Sequence, residues 1–346
     1  MACSACHCAA PQDPTPQTRS NLLAVLRVVV GTVLIVGVIA RLNGDRTPGL
    51  ATIYYAMPLQ VLAALTTTMA VLNWGQKRRV IRWGVCTAVL LAGIAIEDYR
   101  IEPDHSEPDD LKIVFWNACR MLRGWGEVTA EVRRWDADVI ALVEAGSGTH
   151  TNRMRWQQSC PGYKVSLLGA GIVLLTRGES GEATVHEFPD GSRARQIRTR
   201  VRDQDLLLVV TDIQANPLWS RKEPLARLTS VVSPLADEPT LVLGDFNTPI
   251  DSELFEPLRS RYVSAFDAAG RGYRPTWPQP LPVLAIDQAW VSPRLEVTSC
   301  RNLWTSASDH RPVLLTVRPH TTAVADSVNN RRASMTKRPH LAADAR

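Results

Sequence analysis

The stretch Thr240–Asp251, TLVLGDFNTPID, runs apolar through Leu243 and then sets an acid, an aromatic and an amide in a row. Branched residues bounded by glycine read as a strand buried on both faces. A lone carboxylate in such surroundings is expensive unless it is paired or holds a metal. Side chains two apart on an extended backbone share a face, so Asp245 and Asn247 can address one ligand while Phe246 turns into the core. The plainer reading is a turn, since Asp and Asn after Gly commonly form one.

The pattern repeats along the chain. LKIVFWN, DVIALVE, GIVLLT, RQIRTRV, DLLLVVTD, IDQAWVS and RPVLLTV are further candidate strands, and several carry one acid or amide at the same end: Asn117, Glu144 and Asp212. Val128, Val132 and Trp135 recur at helical spacing between the first two, and RKEPLARLTSVV does the same before TLVLGDFN. Strands alternating with helices predict an α/β class. Asp287 opens IDQAWVS, and SDHRP (Ser308–Pro312) sets Asp309 and His310 before the last strand. Polar tips on oily strands imply a shared site at one rim.

The rest of the chain has a different character. Of 346 residues, 45% are hydrophobic, and they crowd into 22–42, 51–73 and 80–96, each read as a membrane helix by length. Pro58 is tolerable in such a helix. Lys77, Arg78, Arg79 and Arg82 outnumber Arg41 and Arg46, which predicts a cytoplasmic second loop and residues 1–19 as a disordered cytoplasmic N-terminus. Residues 97–110 read as a linker, 111–317 as the catalytic domain, and 318–346 as a disordered basic tail. The catalytic domain is then extracytoplasmic, in a multi-pass protein of the cell membrane.

The domain carries 24 Lys and Arg against 23 Asp and Glu, so the formal +5 lies elsewhere. Near balance disfavours a grip on duplex nucleic acid without excluding it, because such binding draws on a basic face. Cys3, Cys6 and Cys8 in CSACHC read as a reduced tail rather than a zinc site, and Cys119, Cys160 and Cys300 predict no bridge. His105, His150 and His186 read as surface residues. Arg193, Arg195, Arg198 and Arg200 read as one exposed sheet face, with lipid phosphates as the sharper alternative, and Trp277 as a structural residue or a platform for a headgroup.

WN, VIALVE, GDFN, TWP, IDQAWVS and SDHRP, in that order across 111–317, resemble the endonuclease/exonuclease/phosphatase superfamily, and the spans before them are similar to the layout of VanJ-type membrane-anchored members. The resemblance implies a four-layer α/β/β/α sandwich and a Mg2+ site, with Mn2+ as an alternative. It implies that Glu144 ligates the metal with Asn117 close by and Asp309 assisting. Asp245 positions or deprotonates the attacking water, Asn247 orients it, and His310, held by Asp287, contacts the phosphate. Where the family has a histidine on the central strand, this chain has Asp212, which can bind a second metal, with Gln214 nearby. The expected activity is hydrolysis of a phosphodiester or phosphoanhydride, lipid-linked or of the envelope. An extracytoplasmic nuclease and an inert binding module are the rivals. The expected partners are a phosphate-bearing substrate and the bilayer, with no protein partner inferred.

Overall fold

The computed structural model describes residues 16–45, 47 and 49–320. The CSACHC cluster, Arg46 and the tail from 321 onward lie outside these residues. Helix α1 (Pro16–Asn43) and α4 (Lys77–Asp98) are long and apolar enough to cross a membrane. The second expected span is broken into α2 (Leu50–Ala56) and α3 (Leu59–Leu72), bent by 72°. Pro58 is the physical reason: it lacks an N–H and its ring excludes the preceding turn, so the straight helix expected over 51–73 does not form.

The helices alternate in direction. Arg41, near the end of α1, pairs with Asp251 at 2.5 Å, whereas Arg27 near its start donates to the Leu72 carbonyl at the far end of α3. Gln60, at the start of α3, donates to Asp98 at the end of α4. The stretch expected to be a plain tether is instead stitched down: β1 (Tyr99–Ile101) pairs antiparallel with β11 (Arg271–Tyr273).

Two six-stranded mixed sheets follow. One has the order β13 (Leu295–Asn302), β14 (Val313–Pro319), β2 (Leu111–Asn117), β3 (Val139–Val143), β5 (Ile172–Thr176) and β4 (Lys164–Gly169). The other runs β10 (Val263–Ser264), β12 (Asp287–Val291), β9 (Thr240–Asp245), β8 (Gln204–Asp212), β7 (Arg193–Val201) and β6 (Glu179–Glu187). Strand β14 runs two residues past the expected domain boundary at 317.

The period of two along each strand sorts its side chains between layers. Ile113, Phe115, Leu208 and Leu243 fill the core between the sheets. Val114 and Trp116 face the other way, against Val128, Val132 and Trp135 of α5 (Trp125–Trp135) and Trp156 of α6 (His150–Ser159). Val209, Val242 and Trp290 meet Leu225, Leu228 and Val232 of α7 (Lys222–Val232), with Leu258 of α8 (Glu256–Arg259). The short α9 (Ala265–Ala269) adds Phe266 to the central core. This is the four-layer sandwich expected.

The arginine row is not one exposed face. Arg195 is buried, donating to the Leu168 carbonyl at 2.7 Å and pairing with Glu187 at 2.5 Å, while Arg198 and Arg200 are exposed. Cys160 and Cys300 are free thiols in separate cores.

Gly244 has no room for a side chain where β9 meets β8: a Cβ there would sit 2.6 Å from the Thr211 carbonyl oxygen. Both partners lie inside paired strands, so neither can step aside. Gly244→Ala is expected to lower stability by about 1–3 kcal/mol, the usual penalty of overpacking, read as a lower thermal midpoint in detergent. An unchanged midpoint would mean the strands can part.

Candidate active site

Register brings the polar tips level. Asp245 stands opposite Asp212 on one side and Asp287 on the other, and Asn117 stands opposite Val143, just before Glu144. The two sheets then meet through side chains: Asn117 Nδ2 donates to Asp245 Oδ2 at 2.9 Å and lies 3.5 Å from Glu144 Oε1. Glu144 has left the strand and takes a left-handed conformation, φ 50°, uncommon for a residue with a Cβ and costing about 1–3 kcal/mol.

Asp245 is almost wholly buried, and its other oxygen accepts the Asn247 N–H at 2.9 Å. Beside it, His310 Nδ1 lies 2.9 Å from Asp287 and 3.9 Å from Asp245. The three residues offer ligand atoms all within 4.8 Å of one another. Burial, and then the charge of Asp287, push the Asp245 carboxyl up to about 8. Burial pulls the His310 imidazole down, but Asp287 and Asp245 outweigh it and hold the ring protonated, up to about 10. With Nδ1 committed to Asp287, Nε2 is the nitrogen available to a ligand. Ser308 fixes this loop by donating to the Asn117 carbonyl at 2.8 Å, and Trp116 Nε1 does so by donating to the His310 carbonyl at 2.9 Å.

Asp309 accepts Trp277 Nε1 at 3.2 Å. Burial acts to raise its carboxyl, but bonds from Cys119 and Trp277 and the charge of His310 hold it below the ordinary range. Trp277 therefore lines the site rather than standing apart from it. Glu144, Asn117 and Asp309 present hard oxygen donors, which suit Mg2+ or Mn2+. Glu144, Asp245, Asp309 and His310 line one cleft, and Asp245, Asp287 and His310 bring their ligand atoms together, so the donor set fits a divalent ion.

Asn247 does not reach the site as an extended residue. Its φ is 45° and its Nδ2 donates to the Ile213 carbonyl at 2.8 Å, so a turn places it, while Phe246 enters the core against Phe255 as expected. Asp212, opposite Asp245 on the neighbouring strand, pairs with Arg193 at 3.4 Å. Burial lifts its carboxyl to about 6 against the pull of Arg193. Arg120 lies 3.3 Å from Glu144. Gln214 is tied to the neighbouring turn through Ser192. His150 is exposed, and His186 bonds Gln196 away from the site.

A cleft of about 350 Å³ joins Glu144, Asp245, Asn247, Asp309 and His310. Two of its lining residues carry no sequence signal. Arg221 is 3% exposed and donates to the Asn247 and Trp219 carbonyls, each at 3.2 Å. Tyr55 comes from α2. Neither lies at the end of an apolar run, where the other site residues were found.

Comparison with known proteins places this geometry. The chain is similar in fold to an endonuclease/exonuclease/phosphatase family protein from Bacteroides thetaiotaomicron, at 16% identity over 62% of this chain and 100% of that one, TM-score 0.53. It is also similar to a mannosyl-6-phosphatase from the same organism, at 15% identity over 60% and 99% of the two chains, TM-score 0.50. The human Nocturnin catalytic domain, with bound sulfate, matches at 16% identity over 65% and 98%, TM-score 0.50. No curated protein matches the sequence. The sequence model described as "Endonuclease/Exonuclease/phosphatase family" matches residues 116–310, from the strand carrying Asn117 to His310 itself, and by that span the chain belongs to this family.

Proposed function

We propose that the protein is a membrane-held phosphoesterase that uses a divalent cation to hydrolyse a phosphodiester or phosphoanhydride of a lipid-linked or envelope compound. The observation that carries this reading is the bond from Asn117 to Asp245 beside the His310–Asp287 pair, which gathers a base, an acid and oxygen donors from both sheets into one cleft. Asp245 holds and deprotonates the attacking water. Asn247 orients it, and His310 Nε2 donates to the phosphate oxygen on which charge builds. Arg221 is the buried cation that faces the phosphate. Bound at Glu144, Asn117 and Asp309, the metal would neutralise phosphate charge. Asp212, paired with Arg193, supports a role beside the site rather than in proton transfer.

The bundle supports a membrane location. The ends of α1 and α4 both meet the catalytic domain, and the basic cluster Lys77 to Arg82 begins α4 at the opposite end. Basic loops remain cytoplasmic, which supports a catalytic domain on the outer side. A reporter fused at the C-terminus and active only in the cytoplasm overturns that placement.

The decisive assay offers full-length protein in detergent a simple phosphodiester, a phosphomonoester, DNA and a polyprenyl pyrophosphate. Removing metal with EDTA is expected to abolish turnover, and Mg2+ or Mn2+ to restore it. Turnover that survives exhaustive chelation sinks the metal-dependent reading. DNA as the sole substrate, with steep salt dependence, replaces it with a nuclease, and ligand binding without any turnover replaces it with a receptor.

A further inference from the structure

Helix α2 does not serve only as a connection between apolar helices. Tyr55 lines the same cleft as Glu144, Asp245 and His310, and is 8% exposed. It is held in place from several directions. Its hydroxyl donates to Asp45 Oδ2 at 2.9 Å, and Asp45 accepts the Ser252 hydroxyl and the Glu253 N–H, the latter at 3.3 Å. One turn earlier the Thr52 hydroxyl donates to the Pro217 carbonyl at 2.6 Å, and Pro217 is itself part of the cleft. These contacts tie α2 to both the loop after β8 and the loop after β9, which bring Arg221 and Asn247 to the cleft.

The lining divides by chemistry. Tyr55, Pro217, Trp277, Leu284 and Ile286 are apolar, and the catalytic carboxylates and His310 are polar. A cavity with a polar part and an apolar part selects by the group attached to phosphorus as well as by phosphate itself. We infer that α2 is a wall of the active site and that Tyr55 contacts the apolar substituent of the substrate, so the membrane segment takes part in recognition instead of acting as a passive tether. This rests on the hydrolase reading above and adds to it a substrate-contacting residue from outside the family domain.

The test uses full-length protein with Mg2+ and two soluble probes, methylphosphonate and hexylphosphonate, titrated by calorimetry. Wild type is expected to bind the hexyl compound about tenfold more tightly, the order of effect of a few buried methylenes. Tyr55→Ala is expected to lose that preference and Tyr55→Phe to keep it. Trp74→Ala, at an exposed position beyond α3, is expected to keep it as well. Equal binding of the two probes by wild type, or an undiminished preference in Tyr55→Ala, overturns the inference. A diazirine at the end of the hexyl chain tests the point without substitution: crosslinking to the peptide holding Tyr55 supports it, and labelling confined to other peptides overturns it. Ester hydrolysis with no chain-length preference removes this inference and leaves the hydrolase standing. Chain-length preference and Tyr55 labelling without turnover of any ester do the reverse.

Discussion

Asp245→Asn is expected to lower kcat by about a thousandfold or more while leaving a folded protein. The change keeps the shape and an oxygen that can accept from Asn117 and from the Asn247 N–H, which Asp245 now bonds at 2.9 Å each. It removes a strand-end carboxylate that bonds across to the other sheet, and with it the base; losing a positioned base together with charge stabilisation is worth at least that factor. Stability moves the other way. A carboxyl held up to about 8 by burial and by Asp287 destabilises the fold when it ionises. In metal-free protein this penalty is absent below the ordinary value of about 3.9, grows as pH rises, and is complete above about 8. The variant should therefore melt at or above the wild-type temperature at pH 8, with the two converging in acid. Turnover within tenfold of wild type removes Asp245 from its assigned role.

Arg311→Ala is expected to be the most damaging single change to the fold. The side chain is 1% exposed and donates to the carbonyls of Tyr273 at 2.9 Å, Pro275 at 2.6 Å, Leu303 at 3.3 Å and Asn302. Its guanidinium lies 4.1 Å from the Trp304 ring centre. Truncation strands these carbonyls and opens a cavity, a loss of about 3–5 kcal/mol, or about 10 °C in Tm for a domain of this size. Arg311→Lys should not rescue it, because a point charge with three donors cannot span a fork of carbonyls. The backbone N–H of Arg311 bonds the Thr276 carbonyl, and the Thr276 hydroxyl accepts the Asp287 N–H; the substitution keeps both bonds, so the loss is read in stability. A midpoint shift under 2 °C would show that water replaces the guanidinium.

The polar strand tips were legible because burial makes them anomalous. Asn117, Glu144, Asp245 and Asp287 each sit where an apolar run predicts burial and a side chain contradicts it. Strands β6 and β13 were missed for the opposite reason: Glu179–Glu187 is an edge strand with no buried residue, and Leu295–Asn302 mixes Glu, Thr and Ser with its apolar positions. Asn247 lines the cleft, but a left-handed turn rather than the pleat puts it there. Tyr55 and Arg221 were invisible because their role depends on a contact across the fold, Thr52 to Pro217 in one case and Arg221 to Asn247 in the other. Pro58 was read for tolerance when it decides a bend.

That bend has a mechanical result. Helices α1 and α4 both arrive at the catalytic domain, so the return journey between them falls to α3, whose 14 residues reach only about 21 Å at about 1.5 Å each. Were these helices to cross a membrane as proposed, a hydrocarbon slab of about 30 Å could not seal against so short a rod and against the 28-residue α1 without pinching on one flank. Lipids packed beside α3 would be compressed, and the enzyme would sit in a dimple of its own making.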